Sequence, residues 1–195
     1  MWKVFEISFF IVLSLSLVKC QCPTFVTRAT WGARPANGAI PVLTVRPAPY
    51  LVIHQTGPVN QFCTNQNACQ AQVRNIQANH LDERGFPDVA FSFIVGEDSL
   101  TYTGRGWFTQ GENLGQFANQ AVNIAYIGNF DGRQPSLSSR NLLDSIIQCG
   151  ITAGHLRSNV RLVASCQIQG NFCGENSIHA WIRGHPRYEE NPIPF

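Results

Sequence analysis

Short apolar runs bounded by proline and glycine are the first pattern in this chain. The run Leu51–Gln55 opens with three aliphatic residues, and Pro49 before it and Gly57 after it mark its ends. A short run of this kind, closed by turn residues, predicts a buried strand. His54 stands near its carboxyl end, where open α/β sheets place their ligands. A lone histidine there is more often a core residue, so its interpretation depends on the segments that follow.

The next pattern has the period of a helix. From Ala68 to about Glu83, the side chains that recur at steps of three and four residues are Cys69, Val73, Ile76 and His80. This periodicity predicts an amphipathic helix with His80 on its buried stripe. The loop that follows, residues 84–87, reads Arg-Gly-Phe-Pro and carries an aromatic side chain. A histidine that leads into such a loop is a candidate binding residue.

The remaining runs complete an alternation of strands and helices. Further strands are predicted at Val89–Gly96, Ser99–Thr103, Val122–Gly128 and Arg161–Ala164, a long helix from Pro135 to Gly154, and a final helix at Glu175–Ile182. Such an alternation indicates an α/β layer fold. The sequence contains no internal repeat and no second domain boundary.

Residues 1–20 have the pattern of a secretory signal. Lys3 supplies the basic start, and residues 9–18 form an apolar core that is too short to span a bilayer. We expect cleavage after Cys20, which leaves Gln21 first, with cuts at Gln21 or Cys22 as alternatives. The rest should form an arm at 21–48, one domain at 49–185 and a loosely packed tail at 186–195. The protein is therefore expected to be secreted and extracellular, with no membrane span.

Charge is sparse and nearly balanced. The full chain carries a formal net charge of +2, and loss of residues 1–20 removes its two lysines, Lys3 and Lys19, together with Glu6. No basic patch or stripe remains of the kind that nucleic-acid binding needs. Scattered arginines can instead bind single carboxylates through paired hydrogen bonds.

Cysteines and two short motifs add detail. Six cysteines remain after cleavage, and an even number in a secreted chain indicates disulfides, although the residues alone leave many pairings open. The Trp31-Gly32 turn lies between arginines and can fasten the arm to the domain. In Gly104-Arg105-Gly106-Trp107, two glycines let the backbone approach another group closely.

Together and in order, these segments resemble the peptidoglycan recognition protein family, whose domain is related to zinc N-acetylmuramoyl-L-alanine amidases. The resemblance extends from Thr27 to about Trp181. It rests on the blocks Trp31–Arg34, Val52–His54, Cys63/Cys69, Phe93–Asp98, Tyr102–Trp107, Tyr126–Phe130 and Cys149-Gly150. It implies an α/β fold in which about three α-helices flank a central mixed β-sheet, with a peptidoglycan-binding groove on one face.

The resemblance also implies disulfide pairs. It assigns Cys63–Cys69 and Cys22–Cys149, the second of which ties the arm to the long helix. The two cysteines left over, Cys166 and Cys173, are then predicted to pair with each other, from parity and their short spacing.

Amidase members of the family hold zinc with two histidines and a cysteine, and a tyrosine assists the metal-bound water. The first histidine matches His54 and the cysteine matches Cys173. Ser165 stands where the second histidine is expected, and Phe91 stands at the tyrosine. Serine is a weak zinc donor, and phenylalanine cannot donate a proton. We therefore predict no metal, no other cofactor, no catalytic residue and no amidase activity.

Two other arrangements stay open. Cys166 could replace the missing histidine in a zinc set with His54 and Cys173, although a secreted chain favours the disulfide and strand neighbours point to opposite faces. Ser165 could act as a nucleophile with His54 as its base, although no carboxylate is evident to orient the histidine. A zinc amidase thus remains the alternative function, and the zinc content of pure protein separates the two.

Ten residues match ligand-contact positions of the family: His54, Thr56, His80, Arg84, Gly85, Phe86, Phe91, Arg105, Trp107 and Asn113. They offer aromatic walls and a few polar groups, as a muropeptide groove requires. The expected function is a pattern-recognition protein of innate immunity that binds bacterial peptidoglycan, with a signalling protein or protease cascade as a downstream partner. A third class, an interaction protein that no longer binds peptidoglycan, is weakened by the retained His80 and Arg105.

The preferred type of stem peptide is the last expectation. Arg105 and Gly85 match members that bind diaminopimelate-type peptidoglycan, whose third stem residue carries one carboxylate more than lysine. Phe86 departs from that pattern, which prefers tryptophan there. We expect a diaminopimelate preference with Arg105 as the carboxylate contact. The competing interpretation is that Arg105 only braces its turn against Glu97 or Asp98.

Overall fold

A mixed six-stranded sheet forms the centre of the protein. The computed structural model describes residues 22–57, 61–168, 170, 173 and 177–194, so the expected signal segment 1–20 lies outside the described residues. The strands are β1 (Phe25–Val26), β2 (Ala48–Gln55), β3 (Phe93–Val95), β4 (Thr101–Thr103), β5 (Ala121–Tyr126) and β6 (Leu156–Ala164). Their order is β1-β4-β3-β5-β2-β6, with β3 and β4 antiparallel and all other neighbours parallel.

Helices cover both faces of this sheet. They are α1 (Arg28–Trp31), α2 (Gln66–Ala78), α3 (Leu137–Thr152), α4 (Ser165–Ile168) and α5 (Ser177–Arg183). A π-helical turn, Asn79–Glu83, extends α2, and a short 3₁₀ turn spans Gly115–Phe117. The predicted α/β fold with its mixed sheet is confirmed, with α1 and α4 as short additions to the three expected helices. Within the described ranges, no helix is long and apolar enough to cross a membrane.

The first apolar run forms an interior strand, as predicted. Strand β2 lies between β5 and β6, and every residue in it except Gln55 is buried. Leu51 and Ile53 point toward the side of the sheet covered by α3 and α5. Since side chains alternate along a strand, Val52 and His54 point to the opposite side, which is the side of α2. This alternation places His54 on the α2 side, at the carboxyl end of the sheet.

Helix α2 and its extension follow the predicted stripe. Asn65 caps the helix by accepting a hydrogen bond from the Ala68 N–H, and Cys69, Val73 and Ile76 are buried against the sheet. The π-helical turn adds one further position to the stripe, and His80 is buried within it. Single π-helical turns of this kind are frequent at functional sites.

Two predicted strand boundaries were wrong. Only Phe93–Val95 of the apolar run Val89–Gly96 joins the sheet. The residues before it bond to side chains instead, because the Asn123 amide accepts from Ser92 N and donates to the Ala90 carbonyl. Strand β6, in contrast, begins at Leu156 rather than Arg161, and its first half is polar and half-exposed because it lies at the edge of the sheet.

The amino-terminal arm is part of the fold rather than an irregular extension. Its strand β1 pairs with β4, and Trp31 is fully buried with its indole N–H donating to the Thr103 carbonyl over 2.9 Å. Arg28 forms an ion pair with Asp88 at 3.0 Å. The expected role of the Trp31-Gly32 turn in fastening the arm is confirmed.

The carboxyl-terminal tail is also docked, so the prediction that it packs loosely was wrong. Tyr188 forms a bridge with Leu162 of β6, and the Glu189 N–H donates to the Leu162 carbonyl over 2.9 Å. The Tyr50 hydroxyl donates to the carbonyl of Ile193 over 2.6 Å. The edge strand β6 offered backbone groups that the tail could pair with, which the sequence pattern does not reveal.

All three predicted disulfides are present: Cys22–Cys149, Cys63–Cys69 and Cys166–Cys173. The first joins the arm to α3 across a sequence separation of 127 residues. The second closes a small loop at the start of α2.

Candidate functional site

An open cavity of about 800 Å³ lies on the α2 side of the sheet, at the carboxyl end of β2. Helix α2 and its π-helical turn form one wall, and the segment around residues 113–115 and helix α4 form the other. It is lined by His54, Gln55, Thr56, Asn75, Ile76, Asn79, His80, Arg84, Phe91, Asn113, Gly115, Ser165 and Ile168. Its volume lies within the range of small-molecule and peptide sites.

His54 lies at the base of the cavity. Complete burial lowers the pKa of its imidazole to about 3, so the ring is neutral at physiological pH. Its Nε2 atom is buried and has no hydrogen-bond partner among the described residues. Because buried polar atoms are almost always paired, this orphaned nitrogen marks a position built for something other than packing.

His80 is held by the backbone of the neighbouring loop. The Ala90 N–H donates to its Nδ1 over 2.9 Å, so the neutral ring carries its proton on Nε2. Burial lowers the pKa of His80 to about 4, with smaller contributions from the positive charges of Arg84 and Arg105. A neutral, oriented imidazole can donate one hydrogen bond to a ligand from Nε2.

Phe91 lies between the two histidines. Its ring centroid is 5.3 Å from that of His54 and 5.4 Å from that of His80. The backbone of Phe91 is fixed as well, since its carbonyl accepts from the Arg105 N–H over 2.9 Å. A Cβ at Gly104 would collide with the same carbonyl oxygen, which explains why this position is a glycine.

Arg84 carries the only formal charge among the described lining residues. It is exposed, and its Nε donates to the Asn79 Oδ1 over 3.1 Å, which directs the guanidinium. Asn75 and Asn79 lie one helical turn apart along the same rim of α2. This wall therefore offers amide groups and one cation to a ligand.

Comparison with known proteins identifies the chain. A sequence profile described as N-acetylmuramoyl-L-alanine amidase matches residues 44–190. Mouse peptidoglycan recognition protein 1 is 31% identical over 180 residues, which cover 92% of this chain and 97% of that protein. The chain belongs to the peptidoglycan recognition protein family. A pig N-acetylmuramoyl-L-alanine amidase is 32% identical over a segment that covers 89% of this chain but only 29% of the pig protein.

Solved structures of the family share the fold. Bumblebee PGRP-SA superposes with a TM-score of 0.81 at 30% identity, covering 88% of this chain and all of that one. Human PGRP-IβC in complex with glycosamyl muramyl pentapeptide gives 0.79 at 29% identity, with 86% and 99% covered. PGRP-LE in complex with tracheal cytotoxin, a monomeric diaminopimelic acid-type peptidoglycan, gives 0.79 at 25% identity, with 85% and 95% covered.

Six of the ten residues that match family contact positions line the cavity: His54, Thr56, His80, Arg84, Phe91 and Asn113. Two more lie just behind it. Gly85 has a φ of +67°, a backbone conformation that glycine adopts readily, and Phe86 packs its ring 5.6 Å from the ring of His80. Phe86 supports the site from outside the cavity lining.

Arg105 does not line the cavity, which corrects its assignment as the carboxylate contact. Only 1% of its side chain is exposed, and it pairs with Glu112 at 3.0 Å. Its remaining N–H groups donate to the carbonyls of Asp88, Val89 and Gln110. The competing interpretation, a brace against Glu97 or Asp98, is also wrong in its partners. Arg105 holds the chain around residues 88–91 in place and so positions Phe91.

Trp107 lies on the opposite face of the sheet from His54, so its assignment to the groove is corrected as well. Its ring packs against Phe93 at 4.5 Å and stacks on His155 at 5.1 Å, beside α3. The two glycines around Arg105 lie in the turn that follows β4, and the side chains on either side of this turn point to different faces of the sheet. That turn is a tertiary feature, and the motif Gly-Arg-Gly-Trp does not reveal it.

Several lining residues were not predicted: Gln55, Asn75, Ile76, Asn79, Gly115 and Ile168. The pair Asn75 and Asn79 could have been found from sequence. Both flank the Ile76/His80 stripe at a spacing of four residues, which places them together on the helix rim. Nothing in the sequence pattern points to Gly115 or Ile168.

The family's three zinc-ligand positions hold unequal donors in this chain. His54 offers an imidazole nitrogen, Ser165 offers a hydroxyl group, and the Cys173 sulfur is bonded to Cys166. Ser165 and Cys166 also begin helix α4, so the expectation that they are strand neighbours was wrong. The two side chains point in different directions because they are neighbours on a helix and because Cys166 is bonded to Cys173.

Proposed function

We propose that this chain binds the peptide stem of bacterial peptidoglycan in the cavity beside α2 and does not hydrolyse it. The observation that carries the proposal is the cavity itself, which brings His54, His80 and Phe91 together with polar groups on both walls. The chain belongs to a family in which human PGRP-IβC has been solved with a muramyl pentapeptide. By analogy, the protein acts in innate immunity as a pattern-recognition protein.

The lining chemistry suits a peptide stem. Asn75 and Asn79 offer amide groups that match peptide bonds, and the aromatic wall around Phe91 accommodates apolar methyl groups. Arg84 is the cation placed to meet a ligand carboxylate. The expected preference for the diaminopimelate type is therefore kept, with Arg84 in place of Arg105 as the contact.

The absence of hydrolysis follows from the donors at the zinc-ligand positions. A catalytic zinc needs three strong protein donors and one open position. Here one donor is a neutral hydroxyl, on Ser165, and the sulfur of Cys173 has no thiolate to give while it is bonded to Cys166. Phe91 also lacks the hydroxyl that a tyrosine would offer. The zinc amidase remains the alternative function that the experiment below addresses.

A serine nucleophile at Ser165 is disfavoured by the state of His54. An imidazole whose pKa is lowered to about 3 is a weak base for a serine hydroxyl. The described residues that line the cavity also include no carboxylate to orient the ring. This activity therefore ranks behind binding and behind the zinc amidase.

Secretion is supported by the three disulfides, because such bonds form and persist in oxidising compartments. A secreted protein encounters peptidoglycan outside the cell. A downstream signalling protein or protease cascade is the further partner that a recognition protein without catalytic activity requires.

The test combines binding, metal content and turnover. Purified protein should sediment with insoluble peptidoglycan, contain far less than one zinc per chain and release no stem peptide. The double variant Asn75→Ala/Asn79→Ala should lose sedimentation, whereas Gln72→Ala, on the same helix but outside the lining, should keep it. Sedimentation of the double variant at the wild-type level, or one tightly bound zinc with amide hydrolysis, would overturn the proposal.

A further inference from the structure

A second group of metal-ligating side chains lies where α4 and α5 come together. The sulfurs of Cys166 and Cys173 and a ring nitrogen of His179 all lie within 4.8 Å of one another. Among the described residues, this is the only group of three or more histidine, cysteine or acidic side chains with ligand atoms so close. It shares Cys173 with the zinc position that the family resemblance assigns, but it takes His179 and Cys166 in place of His54, so its ligand set is different.

The three atoms need little movement to bind a metal. A tetrahedral zinc with two sulfur ligands and one nitrogen ligand places these atoms about 3.5–3.8 Å apart. In the oxidised chain the two sulfurs are bonded to each other and offer no thiolate. Breaking that bond lets them separate to this spacing without leaving the 4.8 Å envelope.

His179 has the properties of a metal-ligating histidine. Only 4% of its surface is exposed. The Tyr188 hydroxyl lies 3.0 Å from its Nε2, and such a neighbour fixes the plane of an imidazole ring. Proteins orient metal-bound histidines through partners of this kind.

The disulfide bond between Cys166 and Cys173 is accessible to solvent. Both Cys166 and Cys173 are half-buried, whereas Cys63 and Cys69 of the loop disulfide are buried. Thiol–disulfide exchange requires that an attacking thiolate reach one of the two sulfurs. Cys166–Cys173 is therefore open to a reductant under conditions that leave Cys63–Cys69 protected, and the arm disulfide, whose Cys22 is exposed, is open to the reductant as well.

We propose that reduction of Cys166–Cys173 creates a binding site for a thiophilic divalent cation such as Zn²⁺, held by Cys166, Cys173 and His179. A dithiol reductant supplies two electrons and two protons: the sulfur–sulfur bond breaks, two thiols form, and the reductant closes to its cyclic disulfide. Metal binding then releases both thiol protons, and water occupies the fourth position. The inference is independent of peptidoglycan binding.

The experiment uses Co²⁺ as a spectroscopic probe. The full mature protein is reduced with dithiothreitol, freed of reductant without oxygen, and titrated with Co²⁺. We expect one Co²⁺ per chain with a sulfur-to-cobalt charge-transfer band that Zn²⁺ abolishes, and no such band in the oxidised protein. Cys166→Ser should abolish the band, and His179→Gln should weaken Co²⁺ affinity at least about tenfold. His155→Gln, at the opposite end of β6 from Cys166, should leave it unchanged.

Four results would overturn the inference. They are a reduced wild type that unfolds or binds no Co²⁺, an oxidised protein with the same band, a Cys166→Ser variant that still binds through the other cysteines, and wild-type affinity in the His179→Gln variant. Circular dichroism on each reduced sample separates loss of a ligand from loss of the fold. Since Cys166→Ser and His179→Gln remove different ligands, misfolding of one leaves the other as a decisive test.

Discussion

Two arginines of this chain show how little a residue type says about its role. Arg84 is exposed on the rim of the cavity, where Asn79 directs its guanidinium. Arg105 is almost fully buried, and its guanidinium binds the Glu112 carboxylate and three backbone carbonyls. A buried guanidinium that makes four hydrogen bonds within the protein contributes to its stability, and this one does not line the cavity. Removal of the Arg84 side chain should therefore change ligand binding, whereas removal of the Arg105 side chain should change the free energy of unfolding.

Truncation of Arg84 should change ligand choice. We expect Arg84→Ala to weaken binding of a diaminopimelate-type muropeptide by about 1.5–3 kcal/mol, since a hydrogen bond to a charged group is lost. Binding of the lysine-type muropeptide should change little, and the free energy of unfolding should stay within about 0.5 kcal/mol of wild type. Isothermal titration with both muropeptides measures the difference. Equal weakening of both ligands would contradict the assignment.

Truncation of Arg105 should instead destabilise the protein. Arg105→Ala leaves three partly buried carbonyls and the Glu112 carboxylate without their donor, which should lower the free energy of unfolding by about 3 kcal/mol. Urea denaturation measures this loss. Arg140→Ala, which removes an exposed hydrogen bond to Gln134 beside α3, is the matched control and should change stability far less. An Arg105→Ala variant with wild-type stability and altered ligand preference would restore the original carboxylate role.

The two cavity histidines should make stability depend on pH. Both have folded-state pKa values below the ordinary 6.5, about 3 for His54 and about 4 for His80, chiefly because of burial. The neutral form is thus favoured in the fold, and the stabilisation is complete above pH 6.5 and lost as pH falls toward 4. For His80 the loss should reach about 1–2 kcal/mol by pH 5.

Urea denaturation between pH 7.5 and 5 tests this dependence. His80→Asn keeps an acceptor for the Ala90 N–H but cannot be protonated in this range. Its stability should therefore fall less steeply with decreasing pH than that of wild type. Parallel curves for the two proteins would show that His80 does not titrate in the way its burial implies.

At the scale of elements, the site depends on how β2, α2 and α4 meet. Strand β2 presents His54, the π-helical turn after α2 presents His80, and α4 presents Ser165 and carries Cys166. The disulfide from Cys166 ties α4 to Cys173, which is the family's remaining thiolate position. On the zinc and tyrosine positions that the family resemblance assigns, we propose that two substitutions and one bond separate this cavity from an amidase site.

Restoring an amidase should require all three changes. Ser165→His with Phe91→Tyr supplies the missing imidazole and hydroxyl groups, but Cys173 stays in its disulfide, so we expect neither zinc nor turnover. Adding Cys166→Ser frees the Cys173 thiol and should permit zinc binding and measurable release of stem peptide. Metal analysis and an amidase assay on the double and triple variants measure this. Activity in the double variant would show that the disulfide is not a barrier.

At the scale of the whole molecule, the arm and the tail close the domain around its sheet. The arm adds β1 and buries Trp31, and Cys22 fixes its start to α3. The tail pairs with the opposite edge strand, β6. Both ends of the described chain thus pair with strands of one sheet.

Loss of the arm disulfide should be the most costly of the three. In the chain-entropy model, Cys22→Ser/Cys149→Ser should lower the free energy of unfolding by about 4–5 kcal/mol, because the bond closes a long loop. The Cys63–Cys69 bond closes a far shorter loop, so the double variant Cys63→Ser/Cys69→Ser should lower the free energy of unfolding by about 2–3 kcal/mol. Urea denaturation of both double variants compares them. Equal losses would show that native-state packing around the bridges outweighs loop entropy.

The sequence by itself determined the features that depend on local periodicity. Strand β2, the buried stripe from Cys69 to His80 and the long helix α3 follow from spacing and caps, because burial of one face imposes a fixed period on a strand or helix. The resemblance to a family added two of the three disulfides and six residues of the cavity, and parity with short spacing added the third disulfide. Both kinds of prediction concern positions whose surroundings are set within a few residues or by a matched motif.

Only the tertiary structure decided where the remaining side chains point. Arg105 and Trp107 stand two residues apart, yet one is enclosed by the segment 88–91 and the other packs beside α3 on the opposite face. Their positions depend on the turn at Gly104, which is set by its approach to the Phe91 carbonyl from a distant part of the chain. The docked tail and the Cys166, Cys173 and His179 group have the same origin, since each depends on long-range contacts that a local pattern does not encode.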